Sequence, residues 1–170
     1  MGQIILACDD NGKFLEYIPK EIGHRGEGRR HLAITVLLYN SKNQVLLQKR
    51  KHQIFDGIWD IGATHPLHLE GRDESLEEAA KRCVKDEFGI DNIDFENLGA
   101  FNYFAKDKDN CENEHCLLLV GQYDGEVSLN QEAGYEYKWM EKGEFLKDME
   151  QNPQNYSAWV NKALKIFERR

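Results

Sequence analysis

The sequence has few cysteines and no long apolar run, and each absence excludes a class of protein. Four cysteines in 170 residues are too few for a disulfide scaffold, and no two of them have the C-x-x-C spacing of a zinc or thioredoxin-like site. No stretch reaches the roughly 18 apolar residues that a membrane span needs, and the first residues lack the basic segment of a signal peptide. We therefore expect reduced thiols in a soluble, cytoplasmic protein without a membrane partner.

Basic residues are also in deficit. The 22 lysines and arginines against 30 acidic residues give a formal net charge of −8, which opposes non-specific binding to phosphate backbones and anionic lipids. Nucleic acid is therefore not an expected partner. A chain of 170 residues is long enough for one domain with a core and too short for two ordinary domains. We predict a single domain over residues 1–170, as a monomer or homodimer.

The chain interleaves strand patterns with helix patterns. HLAITVLLYN (31–40) is nearly all apolar and is predicted to be a strand buried on both faces, and QVLLQKR (44–50) is its predicted antiparallel partner. HCLLLVGQYDG (115–125) and YEYKWME (135–141) are predicted to be further strands. A closing helix is predicted from about residue 157 to residue 170.

Residues 75–88 have the clearest helical pattern. Ser75 and Glu78 are spaced as a capping box, and Gly89 is a stop signal. The apolar stripe of this helix consists of Leu76, Ala79, Ala80, Cys83 and Val84. Together these elements predict the α+β class, with a mixed β-sheet and few helices.

Five side chains could bind one metal ion. Glu112 and Glu114 flank a single asparagine at the head of a strand, so both carboxylates point to one face. His24 lies in the glycine-punctuated stretch GHRGEG, His31 opens the first long strand, and His65 precedes a proline that restricts its backbone. Three imidazoles and two carboxylates suit Mn²⁺, Zn²⁺ or Fe²⁺ better than Ca²⁺. The alternative is that all five are polar residues at strand ends, each solvated.

Several motifs, in order over most of the chain, resemble the type I isopentenyl-diphosphate isomerases of the Nudix superfamily. The motifs are GHRGEGRRHLAITVLLYNSKNQVLLQKR, IWDIGATHP, FNYFAKDKDNCENEHC, YEYKW and YSAW. The resemblance implies a Nudix-type fold, with a mixed sheet flanked by helices in an α/β/α sandwich. It also implies a transition metal, Mn²⁺ or Zn²⁺, whose ligands in this sequence are His24, His31, His65, Glu112 and Glu114.

The resemblance further implies a site for a diphosphate. The aromatic wall that encloses the prenyl carbons in the family falls on Tyr103 and Trp159, and the early diphosphate-binding lysine falls on Lys20. We also expect Arg50 and Arg82 to contact the substrate. The alternative is that the two aromatic residues belong to an ordinary core and that Lys20 is a solvated surface residue.

The broader superfamily signature, G-x5-E-x7-R-E-U-x-E-E-x-G-U with U a bulky aliphatic residue, matches imperfectly when it is anchored at Gly89. Its first acid, its arginine and its paired acids fall on Glu74, Arg82, Asp86 and Glu87. His68 stands at the opening glycine and Cys83 at the acid after the arginine. The match implies that Asp86 and Glu87 hold Mg²⁺ against a diphosphate. A solvated helix face would show a similar pattern.

The most informative departure from the family lies at Ala63. In the isomerases, the position two residues before the histidine of the HP pair carries the catalytic cysteine, which exchanges a proton with the isoprenoid double bond. Allylic isomerisation needs two positioned acid–base groups, and a methyl group cannot transfer a proton. The adjacent Thr64 hydroxyl is too weak an acid for this reaction. Cys116 shares strand parity with Glu112 and Glu114, so a relocated thiol stays open as an alternative.

We therefore predict a metal-dependent hydrolase that acts on a diphosphate-containing small molecule and is built on an isomerase-like scaffold. Mg²⁺ and one transition metal are its expected cofactors, and Glu114 or Glu87 is expected to accept a proton from the attacking water. One alternative is an isopentenyl-diphosphate isomerase with a rearranged acid. Another is a non-catalytic binder of diphosphate metabolites, which the imperfect signature favours. The sequence does not determine the leaving group.

Overall fold

The central strand of the sheet is β3 (His31–Tyr39), the strand predicted from the apolar run at 31–40. In the computed structural model, which describes residues 2–169, its interior residues are buried. β3 pairs in parallel with β10 (Asn110–Gln122) and antiparallel with β1 (Ile4–Cys8) and β6 (Gly62–Thr64). The prediction of a strand buried on both faces is therefore confirmed.

β4 (Gln44–Arg50) follows β3 through a tight turn, as predicted, but the two strands separate at once. Their only Cα pair is Tyr39 with Val45. Beyond it, β5 (Trp59–Asp60) pairs with β4, while β6 pairs with β3. The segment from β5 to β6 therefore enters the gap between the two strands, which carries the IGATHP motif into the interior of the sheet. On the far side of β4, the predicted strand at 135–141 is confirmed as β11 (Gly134–Glu141).

Several strands lie outside the predicted segments. These are β1, β5, β6, β2 (Phe14–Pro19), the short hairpin of β7 (His68–Leu69) and β8 (Arg72–Asp73), and β9 (Glu96–Asp107). β9 and β2 lack an apolar run because most of their residues are exposed or only half-buried.

The predicted strand at 115–125 begins earlier and ends earlier than expected. β10 spans Asn110–Gln122, so the ENE motif lies within the strand. The polar residues at its start continue the strand because they pair with β9 in an antiparallel ladder.

The predicted helix at 75–88 is confirmed as α2 (Leu76–Phe88), and its caps work as the sequence indicates. The Ser75 hydroxyl accepts the backbone N–H of Glu78, whose carboxylate accepts the N–H of Ser75 in return. Gly89 ends the helix at φ +67°, a left-handed conformation that favours glycine. The buried stripe of α2 packs on one face of β3, against Ile34, Val36 and Leu38.

The opposite face of β3 packs against the C-terminal helices. Ala33 and Leu37 point to this face because side chains alternate along a strand. They share a cluster with α3 (Lys142–Gln151) and α4 (Ala158–Phe167), which a 3₁₀ turn at Pro153–Asn155 separates. α4 confirms the predicted closing helix with narrower bounds, and residue 170 of that prediction lies outside the described residues.

Helices on both faces of a mixed sheet make the predicted α+β sandwich. A further short helix, α1 (Lys20–His24), connects β2 to β3. α3 was not predicted because only Phe145 and Met149 of its residues are buried. Within residues 2–169, no helix combines the length and the apolar character that crossing a membrane requires.

The capping box of α2 can be tested by mutation. Replacing Ser75 with alanine removes the acceptor for the Glu78 N–H, so we expect the free energy of unfolding to fall by about 1 kcal/mol. Chemical denaturation measures it. Ser75→Asp is the control, because aspartate is an equally good cap and should retain the stability. Equal losses in both variants would contradict a capping role.

Candidate functional site

The five side chains predicted as metal ligands converge on one point. His24 ends α1, His31 opens β3, and His65 follows β6. Glu112 and Glu114 lie on β10, where the parallel register sets Glu114 beside His31. One nitrogen or oxygen from each side chain lies within 4.8 Å of those of the other four. The three imidazole centroids form a triangle with sides of 4.7, 4.9 and 5.0 Å.

Backbone carbonyls orient two of the imidazoles. His24 Nδ1 lies 2.7 Å from the carbonyl oxygen of Lys20, and His31 Nδ1 lies 2.7 Å from that of Arg29. A carbonyl oxygen can only accept, so each Nδ1 is the donor, and in the neutral imidazole each Nε2 presents a lone pair to the centre of the cluster. Metal-binding histidines are commonly held this way, by a bond from the nitrogen that does not bind the metal.

Three of the inward-facing atoms have no hydrogen-bond partner in the part of the chain that the structure describes. His24 Nε2 lies 3.1 Å from a Glu112 oxygen, and His31 Nε2 lies 3.5 Å from a Glu114 oxygen. Among the described residues, His24 Nε2, His31 Nε2 and Glu112 Oε2 are buried without a hydrogen-bond partner. Burying unpaired polar atoms is unfavourable, and a bound cation would satisfy all of them together. The donor set therefore fits a divalent transition metal.

The electrostatics of His65 and Glu114 agree with metal binding. Burial, reinforced by the neighbouring His31 and His24, holds the pKa of His65 well below its usual value. Burial opposes ionisation of Glu114, but its contacts with His31 outweigh this and lower the pKa of its carboxyl group. Burial also opposes protonation of His24, yet the Glu112 carboxylate raises the pKa of that imidazole. A neutral His65 and an ionised Glu114 are the protonation states that a metal ligand needs.

A cavity of about 930 Å³ extends from this cluster. Each residue that we predicted to bind substrate lines it, namely Lys20, Arg50, Arg82, Tyr103 and Trp159. His24, His65 and both glutamates of the cluster also line the cavity. The structure thus brings the predicted metal ligands and the predicted substrate-binding residues to one space.

Aromatic residues form the wall of this cavity nearest the cluster. The Tyr103 hydroxyl donates a hydrogen bond to Glu114, and burial raises the pKa of this hydroxyl well above its usual value. The Tyr103 ring lies 5.7 Å from that of Trp159, which in turn meets Phe55 edge-on at 5.5 Å. The two residues predicted as an aromatic wall are therefore also part of the packed interior. Lining the cavity and packing in the core are compatible roles for Tyr103 and Trp159.

Two cations of the cavity retain free donors. Burial and the nearby Arg50 and Arg82 lower the pKa of Lys20, although Glu112 opposes the shift. Two of the five N–H donors of Arg50 are engaged, by the Ile54 carbonyl and by Asp60, both at 3.2 Å. Cations gathered in a partly buried cavity repel one another and favour the binding of an anion.

Arg82 differs from these two because its donors are largely occupied. Its guanidinium group donates to both carboxylate oxygens of Glu74, each at 2.8 Å, and to the carbonyl oxygen of His65 at 2.9 Å. It also reaches the Thr64 hydroxyl at 3.3 Å. Arg82 therefore fixes the backbone that carries one metal ligand, and its predicted contact with substrate stays a prediction.

The structure separates the two acids predicted to hold Mg²⁺ together. Glu87 lines the cavity and accepts a bond of 2.5 Å from the Gln48 amide. Burial, with the nearby charge of Asp60, raises the pKa of Glu87 to about 8. Asp86 is exposed and does not line the cavity. Consecutive helical residues point about 100° apart, so the expectation that both carboxylates face one site is corrected to Glu87 alone.

None of the four cysteines lines the cavity. Ala63 does so, at the position predicted to carry the catalytic thiol in the isomerases. Cys116 is buried, its sulfur lies 2.9 Å from the Thr35 hydroxyl oxygen, and burial raises the pKa of its thiol well above the usual value. The structure therefore gives no support to Cys116 as a relocated acid.

Sequence reasoning missed two buried polar residues beside the cavity. Gln48 is the amide that binds Glu87, and Asp60 is the carboxylate that binds Arg50. Burial raises the pKa of Asp60 to about 6, although Arg50 opposes the shift. The signal for Asp60 was a single acid inside the apolar segment IWDIG, and the signal for Gln48 was a polar residue after VLL.

Comparison with known proteins agrees with the fold and the motifs. The family model for the NUDIX domain matches residues 29–160. Two proteins of Aromatoleum aromaticum named isopentenyl-diphosphate Delta-isomerase 1 and 2 are 29% and 26% identical to this chain, cover 94% of it, and are themselves covered over 89% and 84%.

Solved structures share the architecture at lower identity. A Deinococcus radiodurans protein aligns with a TM-score of 0.72 at 14% identity, over 96% of this chain and 97% of its own. A MutT protein from Methanosarcina mazei aligns with a TM-score of 0.65 at 22% identity, over 82% of this chain and 94% of its own. These two likenesses establish the fold and carry no information on substrate.

The metal site makes a prediction about composition. The purified protein should retain about one transition metal ion per chain after extensive dialysis, because three imidazoles and two carboxylates supply both ligands and charge neutralisation. Elemental analysis measures it. Protein that is free of metal and also fails to take up Mn²⁺ or Zn²⁺ in a titration would contradict the assignment of these ligands.

The same site makes a prediction about stability. His24→Ala, His31→Ala and His65→Ala should each lower the melting temperature more in metal-loaded than in metal-free protein, because a ligand that binds only the native state stabilises it. His52→Ala is the matched control, since His52 lines the cavity outside the cluster. Equal losses with and without metal would identify these histidines as packing residues.

Proposed function

This chain belongs to the Nudix domain family, and we propose that it is a metal-dependent hydrolase of a diphosphate-containing small molecule. One observation carries the proposal: a cluster of metal-ligand type and a set of cations line the same cavity, and Ala63 stands in that cavity where an isomerase needs a thiol. A diphosphate can bind there, but the proton donor for alkene chemistry is missing.

The cationic side chains of the cavity and two kinds of metal ion would bind the substrate. Lys20 and Arg50 line the cavity and would neutralise the phosphate oxygens. The histidine and glutamate cluster would hold Mn²⁺ or Zn²⁺, and Mg²⁺ would be held against the diphosphate mainly by phosphate oxygens. When bound, such ions polarise a phosphoryl oxygen and lower the pKa of water.

Glu87 is the better candidate for the base that takes a proton from the attacking water. A general base works best when its pKa lies near the working pH, and the pKa of Glu87 is about 8. Glu114 is less suited because its pKa is lowered and both its oxygens are engaged, one by His65 and one by Tyr103. We therefore assign Glu114 to metal binding and Glu87 to proton transfer.

Isomerisation of isopentenyl diphosphate is the second candidate function, and the names of the relatives favour it. The lining of the cavity weighs against it, because no cysteine reaches the cavity and Cys116 is buried in the core. A non-catalytic diphosphate binder is the third candidate, which the exposed position of Asp86 favours.

A substrate screen for phosphate release separates the hydrolase from the non-catalytic binder. With Mg²⁺ and Mn²⁺ present, we expect the purified protein to release phosphate or a phosphomonoester from at least one of three diphosphate classes: nucleotide sugars, nucleoside diphosphate derivatives and prenyl diphosphates. Binding of these compounds without turnover would instead support the binder.

Glu87 provides a test of the catalytic assignment. Glu87→Gln removes the proton acceptor and should lower the rate of phosphate release by about a hundredfold or more, while the content of transition metal stays unchanged. Glu77→Gln is the matched control, because Glu77 is exposed on the same helix. Activity of Glu87→Gln close to that of the wild type would exclude Glu87 as the base.

Ala63 provides a test against isomerase activity. The wild type should not convert isopentenyl to dimethylallyl diphosphate above background, even with saturating metal. Ala63→Cys supplies a thiol with a pKa of about 8.5 in model peptides and should add at most a trace of turnover. A fast wild-type isomerase would contradict the hydrolase proposal, and loss of that activity in Cys116→Ser would then identify a relocated acid.

A further inference from the structure

One buried carboxylate joins three segments of the chain, one of which lines the cavity, without lining the cavity itself. Asp60 is 0% exposed. Its Oδ2 accepts a hydrogen bond from Arg50 Nη1 at 3.2 Å. Its Oδ1 accepts the Ser157 hydroxyl and the Ile61 backbone N–H, both at 2.8 Å. These contacts join the end of β4, the residue that precedes α4 and the segment between β5 and β6.

Arg50 is the partner of Asp60 that reaches the cavity. Its guanidinium carbon lies 5.3 Å from the centroid of the Trp159 ring, and its Nε donates to the carbonyl oxygen of Ile54 at 3.2 Å. With the bond to Asp60, the guanidinium group is therefore held on three sides. Its remaining N–H donors are available to a ligand in the cavity.

The other carboxylate oxygen of Asp60, Oδ1, binds the residue that precedes α4. Ser157 immediately precedes α4, and Trp159 lies in the first turn of that helix. The Ser157 N–H donates to the carbonyl oxygen of Trp59, the neighbour of Asp60, at 3.0 Å. The position of the Trp159 ring and the orientation of Arg50 are thus set from the same point in the interior.

We propose that Asp60 is a positioning residue for diphosphate binding, which holds the Arg50 guanidinium against Trp159 so that its free donors face the cavity. This inference rests on the proposed function, because it requires a diphosphate in the cavity. A buried ion pair adds little net stability compared with apolar packing. The main consequence of this pair is the geometry that it imposes on Arg50.

Asp60 does not fit a role as a metal ligand or a base. Both its oxygens are engaged by protein donors, and the residue does not line the cavity. Its charge also raises the pKa of Glu87, so replacing it affects a second residue. The test must therefore separate an effect through Arg50 from an effect through Glu87.

A double-mutant cycle makes this separation. Binding of inorganic diphosphate with Mg²⁺ at neutral pH is measured by calorimetry for the wild type, Asp60→Asn, Arg50→Ala and the double variant. Asparagine keeps an acceptor for Ser157 and Ile61 but turns an N–H₂ donor toward Arg50, which displaces the guanidinium group. We expect Asp60→Asn to weaken binding by about tenfold, and to cause no further loss when Arg50 is already alanine.

Two further measurements exclude a general structural defect. Ser157→Ala removes one bond to Asp60 but leaves the contact with Arg50, so it should bind diphosphate within about twofold of the wild type. The content of transition metal should be unchanged in Asp60→Asn, because no ligand of the cluster contacts Asp60. Loss of metal in this variant would mean that the substitution disturbs the fold, and this would contradict a positioning role.

The other outcomes distinguish this inference from the proposed function. Equal weakening by Asp60→Asn in the wild-type and Arg50→Ala backgrounds, or no weakening at all, overturns the inference and leaves the hydrolase proposal standing. A wild type that binds inorganic diphosphate but cleaves none of the screened substrates overturns hydrolysis alone. A wild type that does not bind inorganic diphosphate overturns both.

Discussion

The structure of the site depends on one constraint: His24 Nε2, His31 Nε2 and Glu112 Oε2 are buried without a hydrogen-bond partner among the described residues. Two backbone carbonyls fix the Nδ1 protons of His24 and His31, and in the neutral imidazoles this directs both Nε2 lone pairs toward the carboxylates of Glu112 and Glu114. A bound cation would satisfy these atoms, and the apolar packing on both faces of the sheet keeps the ligands in place. The arrangement therefore fits the proposed metal site, with two of its five side chains oriented by backbone carbonyls.

The cavity exists because β3 and β4 separate directly after their turn. The insertion of β5 and β6 into the gap carries His65 to the cluster and Ala63 to the cavity wall. The same insertion buries Asp60 behind Arg50. The proposed metal site, the proposed anion site and the proposed positioning carboxylate all depend on this one irregularity in the sheet.

Much of this architecture was predictable from local sequence. The apolar run of β3 and the capping box and glycine stop of α2 define their elements almost without tertiary information. The convergence of the five predicted ligands was foreseeable because the ENE spacing and the HP pair belong to motifs with a known chemical role. Strands such as β9 could not be predicted, since their polar residues are held by pairing with a neighbour and not by a pattern of their own.

Side-chain partners were the part that sequence could not supply. The signature treats Asp86 and Glu87 alike, whereas the orientation of α2 brings only Glu87 to the cavity. Arg82 was expected to contact substrate, but Glu74 and the backbone of His65 occupy most of its donors. These differences arise from the distances between elements in the folded chain. The spacing of residues along the sequence does not encode those distances.

The central claim is that the three histidines and two glutamates hold one transition metal together. X-ray absorption at the metal edge of Mn²⁺-loaded or Zn²⁺-loaded protein tests it most directly, because multiple scattering from imidazole rings reports how many histidines bind the metal. We predict three imidazole nitrogens, with carboxylate oxygens completing the shell, at distances near 2.0–2.2 Å for zinc. A shell composed of oxygen alone, or one with fewer than three imidazoles, would contradict the account.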